Sequence, residues 1–185
     1  MRPAALIWRL WAAGGCSENR EGSASGGGKG RFFTLSQEGA AMTLPLRTFK
    51  GSCHCGALGF SFQTTLPVAK WSVRACQCRF CRAHGALTTS ESGGRLMFHV
   101  SDVALLQRYR FSLKTADFLL CRRCGVYMGA QIETAHGAFG IINTLTMMPV
   151  PEGLPHAALA DYSSETSDER LERREKRWTP LEKVV

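Results

Sequence analysis

The sequence predicts a mainly β protein, stapled by metal and finished by a short C-terminal helix. Three observations carry this reading. Short runs alternate apolar and polar residues, as Leu58, Phe60 and Phe62 do, between Gly- and Thr-bearing turns. Seven of the eight cysteines fall into three tight clusters. Only one stretch, SETSDERLERREKRW, carries the cap and charge spacing of a helix.

Along the chain, residues 1–41 stand apart. They open with a short apolar patch broken by Arg9 and pass into the Gly/Ser-rich run SASGGGKG, a linker composition. A secretion signal ending near Cys16 competes with this reading, but its apolar run is short and charged. An organelle leader using Arg2, Arg9 and Arg20 also competes, but it is weakened by Glu18 and Glu21. Composition favours a disordered tail, or a start assigned upstream of Met42.

Residues 42–160 form the expected metal-binding β domain. FKGSCHCGALGFSFQTT reads as a strand after a metal-binding turn, and AKWSVRACQC as a strand leading into a triple-cysteine turn. ALTTSES and RLMFHV flank the Gly93-Gly94 turn. VALLQRYRF reads as a short helical turn and then a strand. ADFLLCRRCGVYMGAQIE and AFGIINTLTM place strands around the last cysteine pair. Residues 161–185 form the charged helix and tail, with Ser164 or Thr166 as cap and Asp168 and Glu169 in the first turn. The charge run reads as a solvated face rather than a nucleic-acid contact.

Composition bounds the function. The 185 residues are 44% hydrophobic, enough for one packed core, and no run approaches 18 apolar residues, so no membrane span is expected. The net charge of +8 mildly favours acidic or anionic partners. Seven clustered thiols require a reducing compartment, which points to a cytoplasmic protein.

The clusters are C-x-C (Cys53, Cys55), C-x-C-x-x-C (Cys76, Cys78, Cys81) and C-x-x-C (Cys121, Cys124). These spacings suit chelation better than bridging. An iron–sulfur cluster normally takes four cysteines, and the remaining candidate, Cys16, lies in the tail. Zinc takes four ligands in a tetrahedron. Cys121-Arg122-Arg123-Cys124-Gly125 is a knuckle whose best complement is Cys53-His54-Cys55-Gly56, with Gly in the same relative place. That pairing closes one site and leaves Cys76, Cys78 and Cys81 as a three-thiolate set with a free fourth position, the layout of a catalytic zinc. Arg74, Arg79 and Arg82 surround the set and favour thiolate; they are candidates to grip a substrate carboxylate. His84 is a candidate fourth ligand or proton shuttle. His54 is expected to point away from metal, and His99, His136 and His156 have no ligand spacing.

GSCHCGAL, CQCRFCRAHGA and CRRCG, with Gly56, His84-Gly85 and Gly125, resemble the glutathione-dependent formaldehyde-activating enzyme and centromere protein V family over residues 47–150. The resemblance implies a zinc-bearing complex of short antiparallel β-sheets. It also implies two zincs per chain: a structural one on Cys53, Cys55, Cys121 and Cys124, and a catalytic one on Cys76, Cys78 and Cys81. The implied activity is carbon–sulfur lyase chemistry joining formaldehyde and glutathione, with a small-molecule thiol as partner. After AFGII the family often carries a Gly-Thr-Leu-Asp-Asp-like turn, where this chain reads Asn143-Thr144-Leu145-Thr146-Met147-Met148 and lacks the acidic pair. Two function classes follow, a zinc-dependent lyase on a thiol–aldehyde adduct and a non-catalytic zinc-stabilised binding module. Closure of the three-cysteine site by His84 or another group would favour the module.

Overall fold

The computed structural model describes residues 45–185, all within one compact unit, Ala41–Val185. The expectations for residues 1–41 lie outside the described residues.

The predicted β architecture is present. β1 (Arg47–Ser52), β2 (Leu58–Thr64) and β5 (Arg95–Val100) make an antiparallel three-stranded sheet in the order β1-β2-β5. The larger sheet collects β3 (Arg74–Cys76), β4 (Thr88–Thr89), β6 (Leu106–Tyr109), β7 (Asp117–Cys121), β8 (Tyr127–Thr134), β9 (Gly137–Asn143) and β10 (Ala158–Ala160). Their order is β10-β3-β4-β9-β8-β7-β6, and β11 (Thr179–Pro180) pairs with β9. Most pairs are antiparallel, as expected, but β10 runs parallel to β3. The short turn before β6 is a 3-10 turn at Val103–Leu105, capped by the Asp102 side chain.

The core forms between the two sheets. In β2 every second residue is buried, so Leu58, Phe60 and Phe62 face inward, opposite Leu96 and Phe98 of β5. They meet Leu119, Met128 and Ile142 of the larger sheet, and Trp71 stands edge-on to Phe49 and Phe62 at 4.8 and 5.2 Å. A second cluster, Ala116, Ala130, Ile132, Ile141 and Trp178, lies apart from the first.

Among the described residues, two α-helices accompany the sheets. α1 (Arg79–Ala83) is a single turn where the sequence suggested only an irregular turn. α2 (Ser167–Arg177) is the expected C-terminal helix, opened by a capping box of Thr166 and Glu169. It is less solvated than its charge suggests. Leu171 packs on the second cluster, and Arg174 is only 7% exposed. The chain then buries Trp178 and Leu181 and adds β11 to the sheet. Apolar contact on both sides buries β8 from Tyr127 through Ile132 without the alternation of a half-wet strand.

One irregularity in β8 sets the site. Leu119 pairs with Gly129 and Leu120 with Tyr127, so Met128 is an extra residue in the ladder. The bulge switches parity: Met128 joins the inter-sheet core, whereas Ala130 and Ile132 join the other cluster. Tyr127 is thereby turned away from the inter-sheet core toward Cys81. Gly129 has φ +157°, and a Cβ there would lie 2.1 Å from the carbonyl oxygen of Ile141.

Candidate metal centres and an arginine-rimmed cavity

The structure assembles two thiol groups. Cys53, Cys55, Cys121 and Cys124 have sulfurs all within 4.8 Å of one another, and so do Cys76, Cys78 and Cys81. The first group ties the β1–β2 loop to the β7–β8 loop, and so the small sheet to the large one. Each loop is a tight turn completed by glycine in the left-handed region, Gly56 at φ +76° and Gly125 at +74°. Gly56 N–H donates to the Cys53 carbonyl at 3.0 Å, and Gly125 N–H to the Cys121 carbonyl at 2.8 Å. The Leu58 amide donates to the Cys53 sulfur at 3.3 Å.

The sulfur spacing fits a tetrahedral ion. Cys53 Sγ is 3.6 Å from Cys55 Sγ, which is 3.5 Å from Cys121 Sγ. A disulfide would need about 2.05 Å. Four thiolates at about 2.3 Å from zinc stand roughly 3.8 Å apart. Burial pushes the Cys121 thiol up to about 11. Burial also opposes ionisation of Cys124, yet the Val126 and Cys55 amides and neighbouring thiols bring it down to about 6. A cation at the centre would favour all four thiolates.

The second group is built locally. β3 delivers Cys76. The Cys78 sulfur caps α1 by accepting from the Cys81 amide at 3.4 Å, which draws it over Cys81 one turn later. Gly85 at φ +56° closes the turn. The Cys81 thiol, hydrogen-bonded to Cys76, lowers Cys76 to about 6, while the same contact and burial raise Cys81. A cation bound among the three sulfurs would favour their thiolate forms.

No histidine or carboxylate among the described residues joins either group. His84, the candidate fourth ligand, is exposed, with Nδ1 2.9 Å from the Phe80 carbonyl of its own helix and its ring on Phe80. His54 is exposed, as expected; His99 meets Ser61, and His136 meets Glu175.

The three cysteines line a cavity of about 430 Å³. Its apolar wall is Phe111, Phe118, Ile141 and Trp178, and Phe118 stacks on Tyr127 at 5.8 Å. The charged rim differs from expectation. Arg74 faces the cavity, but Arg79 and Arg82 are exposed and do not line it. They occupy the outer side of α1, because capping by Cys78 turns the sulfurs inward. The other cavity cations are Arg170, Arg173 and Arg174 of α2. Sequence proximity misled here. The available signal was that Arg170, Arg173, Arg174 and Arg177 recur at the spacing of one helical face.

Arg173 forms a two-pronged pair with Glu165, with Nε at 2.5 Å and Nη2 at 2.8 Å, and Arg170 Nε lies 3.4 Å from the same carboxylate. Arg74 Nη2 donates to Ser90 Oγ at 2.6 Å. The Tyr127 hydroxyl is buried with no hydrogen-bond partner among the described residues; burial first, then the three cysteines, disfavours its ionisation. It is held as a neutral donor beside the sulfurs. In the turn that follows β9, where the acidic pair is missing, Asn143 is structural: its Nδ2 donates to the Tyr127 carbonyl at 3.0 Å, and its Oδ1 accepts from Leu145 N–H at 3.3 Å.

With this geometry in view, the chain belongs to the glutathione-dependent formaldehyde-activating enzyme family, whose model matches residues 48–159, more than half of the chain. Among solved structures, a crystal structure of a Rhodobacter sphaeroides protein is similar at 28% identity, covering 60% of this chain and 99% of that one, with a TM-score of 0.43. No curated protein matches. Among the described residues, no helix is long and apolar enough to cross a membrane.

Proposed function

We propose that the chain is a zinc-dependent carbon–sulfur lyase acting in the cytoplasm on the adduct of a small thiol and an aldehyde, with glutathione and formaldehyde as the pair the family suggests. The observation that supports this is a three-thiol group with no fourth protein ligand among the described residues, opening on a cavity large enough for a small molecule. In this reading Cys53, Cys55, Cys121 and Cys124 hold a structural zinc, and Cys76, Cys78 and Cys81 a second one. That second ion would supply a Lewis-acidic fourth position with affinity for sulfur.

The protein's own part is positioning. In the synthetic direction one C–S bond forms between the thiol sulfur and the aldehyde carbon, and the thiol proton ends on the former carbonyl oxygen. In this reading the Tyr127 hydroxyl, packed with the cysteines and without a hydrogen-bond partner among the described residues, donates a hydrogen bond to that oxygen. Phe118 and Trp178 exclude water from the apolar side, which limits hydration of the aldehyde.

The test contrasts two groups of thiols. Cys78→Ser should keep the fold, hold one zinc instead of two, and lose thiol binding by calorimetric titration of glutathione. It should also lose catalysed exchange between formaldehyde and S-hydroxymethylglutathione. Failure of wild-type protein holding two zincs to bind any thiol would favour the binding-module reading.

A further inference from the structure

The family match ends at residue 159, before α2 begins at Ser167. The cavity is therefore walled partly by a segment outside the match, and that segment brings cations. Two of them, Arg170 and Arg173, are paired with Glu165. Two others are not. Arg174 is 7% exposed and stacks on Trp178 at 4.9 Å, and its Nη1 donates to the Thr115 carbonyl and hydroxyl at 2.8 and 2.7 Å. Its Nε is buried without a partner, and it forms no ion pair among the described residues. Among the described residues, the Arg74 side chain hydrogen-bonds the neutral Ser90 hydroxyl and forms no ion pair.

A buried, unpaired guanidinium is costly, and neighbouring cations add to the cost. Burial first, then Arg173 and Arg170, lowers Arg174 to about 10. Such an arrangement is relieved by an anion, and a planar guanidinium edge matches a carboxylate. The nearby acid, Asp161, is an exposed residue that accepts the Ser163 amide at 2.9 Å. Asp161 lies on the cavity lining together with the polar residues Gln77 and Thr88; the three cysteines line the same cavity, with Phe118 and Trp178 as apolar wall.

We propose that Arg174 and Arg74 form a carboxylate subsite, so that this cavity takes a small thiol bearing an acid group, its sulfur toward Cys76, Cys78 and Cys81 and its carboxylate toward α2. The proposal rests on the thiol reading above for the sulfur end only. It makes the C-terminal helix the specificity element of the site.

The test uses zinc-loaded full-length protein and three probes: 3-mercaptopropionate, its neutral counterpart 3-mercapto-1-propanol, and 3-(methylthio)propionate, which keeps the acid but has no free thiol. By calorimetry, wild type should bind the mercapto acid about tenfold or more tighter than the alcohol. Arg174→Gln should reduce that preference to about twofold without changing affinity for the alcohol, and Arg74→Gln should reduce it in part. The Arg174 Nε–H resonance should move on adding 3-(methylthio)propionate to wild type. Equal affinity of wild type for the two thiols overturns the subsite while leaving the thiol reading intact. If neither thiol binds but Arg174 Nε–H still responds to 3-(methylthio)propionate, the thiol reading falls and the subsite stands. No response of that resonance to either acid overturns the subsite, whether or not Arg174→Gln folds.

Discussion

Replacing Cys124 by Ser tests whether the four-thiol group staples the fold while the three-thiol group does not. Cys124 lies in the β7–β8 loop and meets sulfurs from the β1–β2 loop, so its group joins the three-stranded sheet to the larger one. Structural zinc contributes about 10 kcal/mol or more to folding, against a net domain stability of about 5–15 kcal/mol. One of four ligands then carries roughly 2.5 kcal/mol, a lower bound because the remaining three hold the ion less tightly. At about 2–4 °C per kcal/mol for a unit of this size, the melting temperature should fall by roughly 5–10 °C or more. Insoluble protein would be the extreme of the same effect. Cys78→Ser should behave differently, since Cys76, Cys78 and Cys81 lie within six positions and close no long loop. The measurement is a circular-dichroism melt of both variants with metal content by mass spectrometry. A Cys124→Ser protein that melts with wild type and holds two zincs would refute the reasoning.

Other changes probe what positions the site. Trp178→Ala removes a side chain that is 5% exposed and packed with Ala130 and Ile141, and should cost about 3 kcal/mol or more; an unchanged thermal melt would show that α2 does not depend on it. Gly129→Ala places a Cβ 2.1 Å from the Ile141 carbonyl oxygen and should cost about 3 kcal/mol or more, read in the same melt and in soluble yield; wild-type stability would refute the bulge geometry. Glu165→Gln tests the carboxyl that its hydrogen bonds to Arg173, against burial, hold below the ordinary 4.5. Because its folded pKa is depressed, its stabilisation is present above about pH 4.5 and lost as pH falls through the lower folded value. The variant should be less stable than wild type at pH 7, by about 1–3 kcal/mol, and the gap should narrow below pH 4.5; a gap independent of pH would refute it.

The thiol groupings were legible because chelation leaves a local signature. Each tight cysteine turn, C-x-C at Cys53 and C-x-x-C at Cys121, is followed by a left-handed glycine, and Gly56 and Gly125 mark both halves of one site at a distance in sequence. The strands were legible for the same kind of reason: Leu58, Phe60 and Phe62 repeat with the pleat. What escaped was whatever depended on parity or on distant contact. The alternation in β8 breaks at Met128, so no period-two reading aims Tyr127 at the cysteines. β10 is three residues long and pairs in parallel with a strand far upstream, and its sequence, Ala158-Leu159-Ala160, has no pattern to announce it.

The arginines show why charge runs are hard to assign from sequence alone. Arg79 and Arg82 adjoin the cysteines in sequence but are turned outward by the same sulfur cap that organises Cys78 and Cys81. Arg170, Arg173 and Arg174 look like an exposed charged face, because a Lys/Arg/Glu-rich helix usually is one. The difference lies in what α2 covers. The outer cluster of the large sheet, Ala116, Ala130, Ile132 and Ile141, needs an apolar partner, and α2 supplies chiefly Leu171 with Trp178 just beyond its end. Docking those two residues carries Arg174 inward with them, and its aliphatic stem and ring contact help cover the sheet while its charged end reaches the cavity. A helix that needed only to cover the sheet could use leucine at that position. Arginine there keeps a charge in the cavity opposite three sulfurs, so burial and ligand recognition act through one side chain.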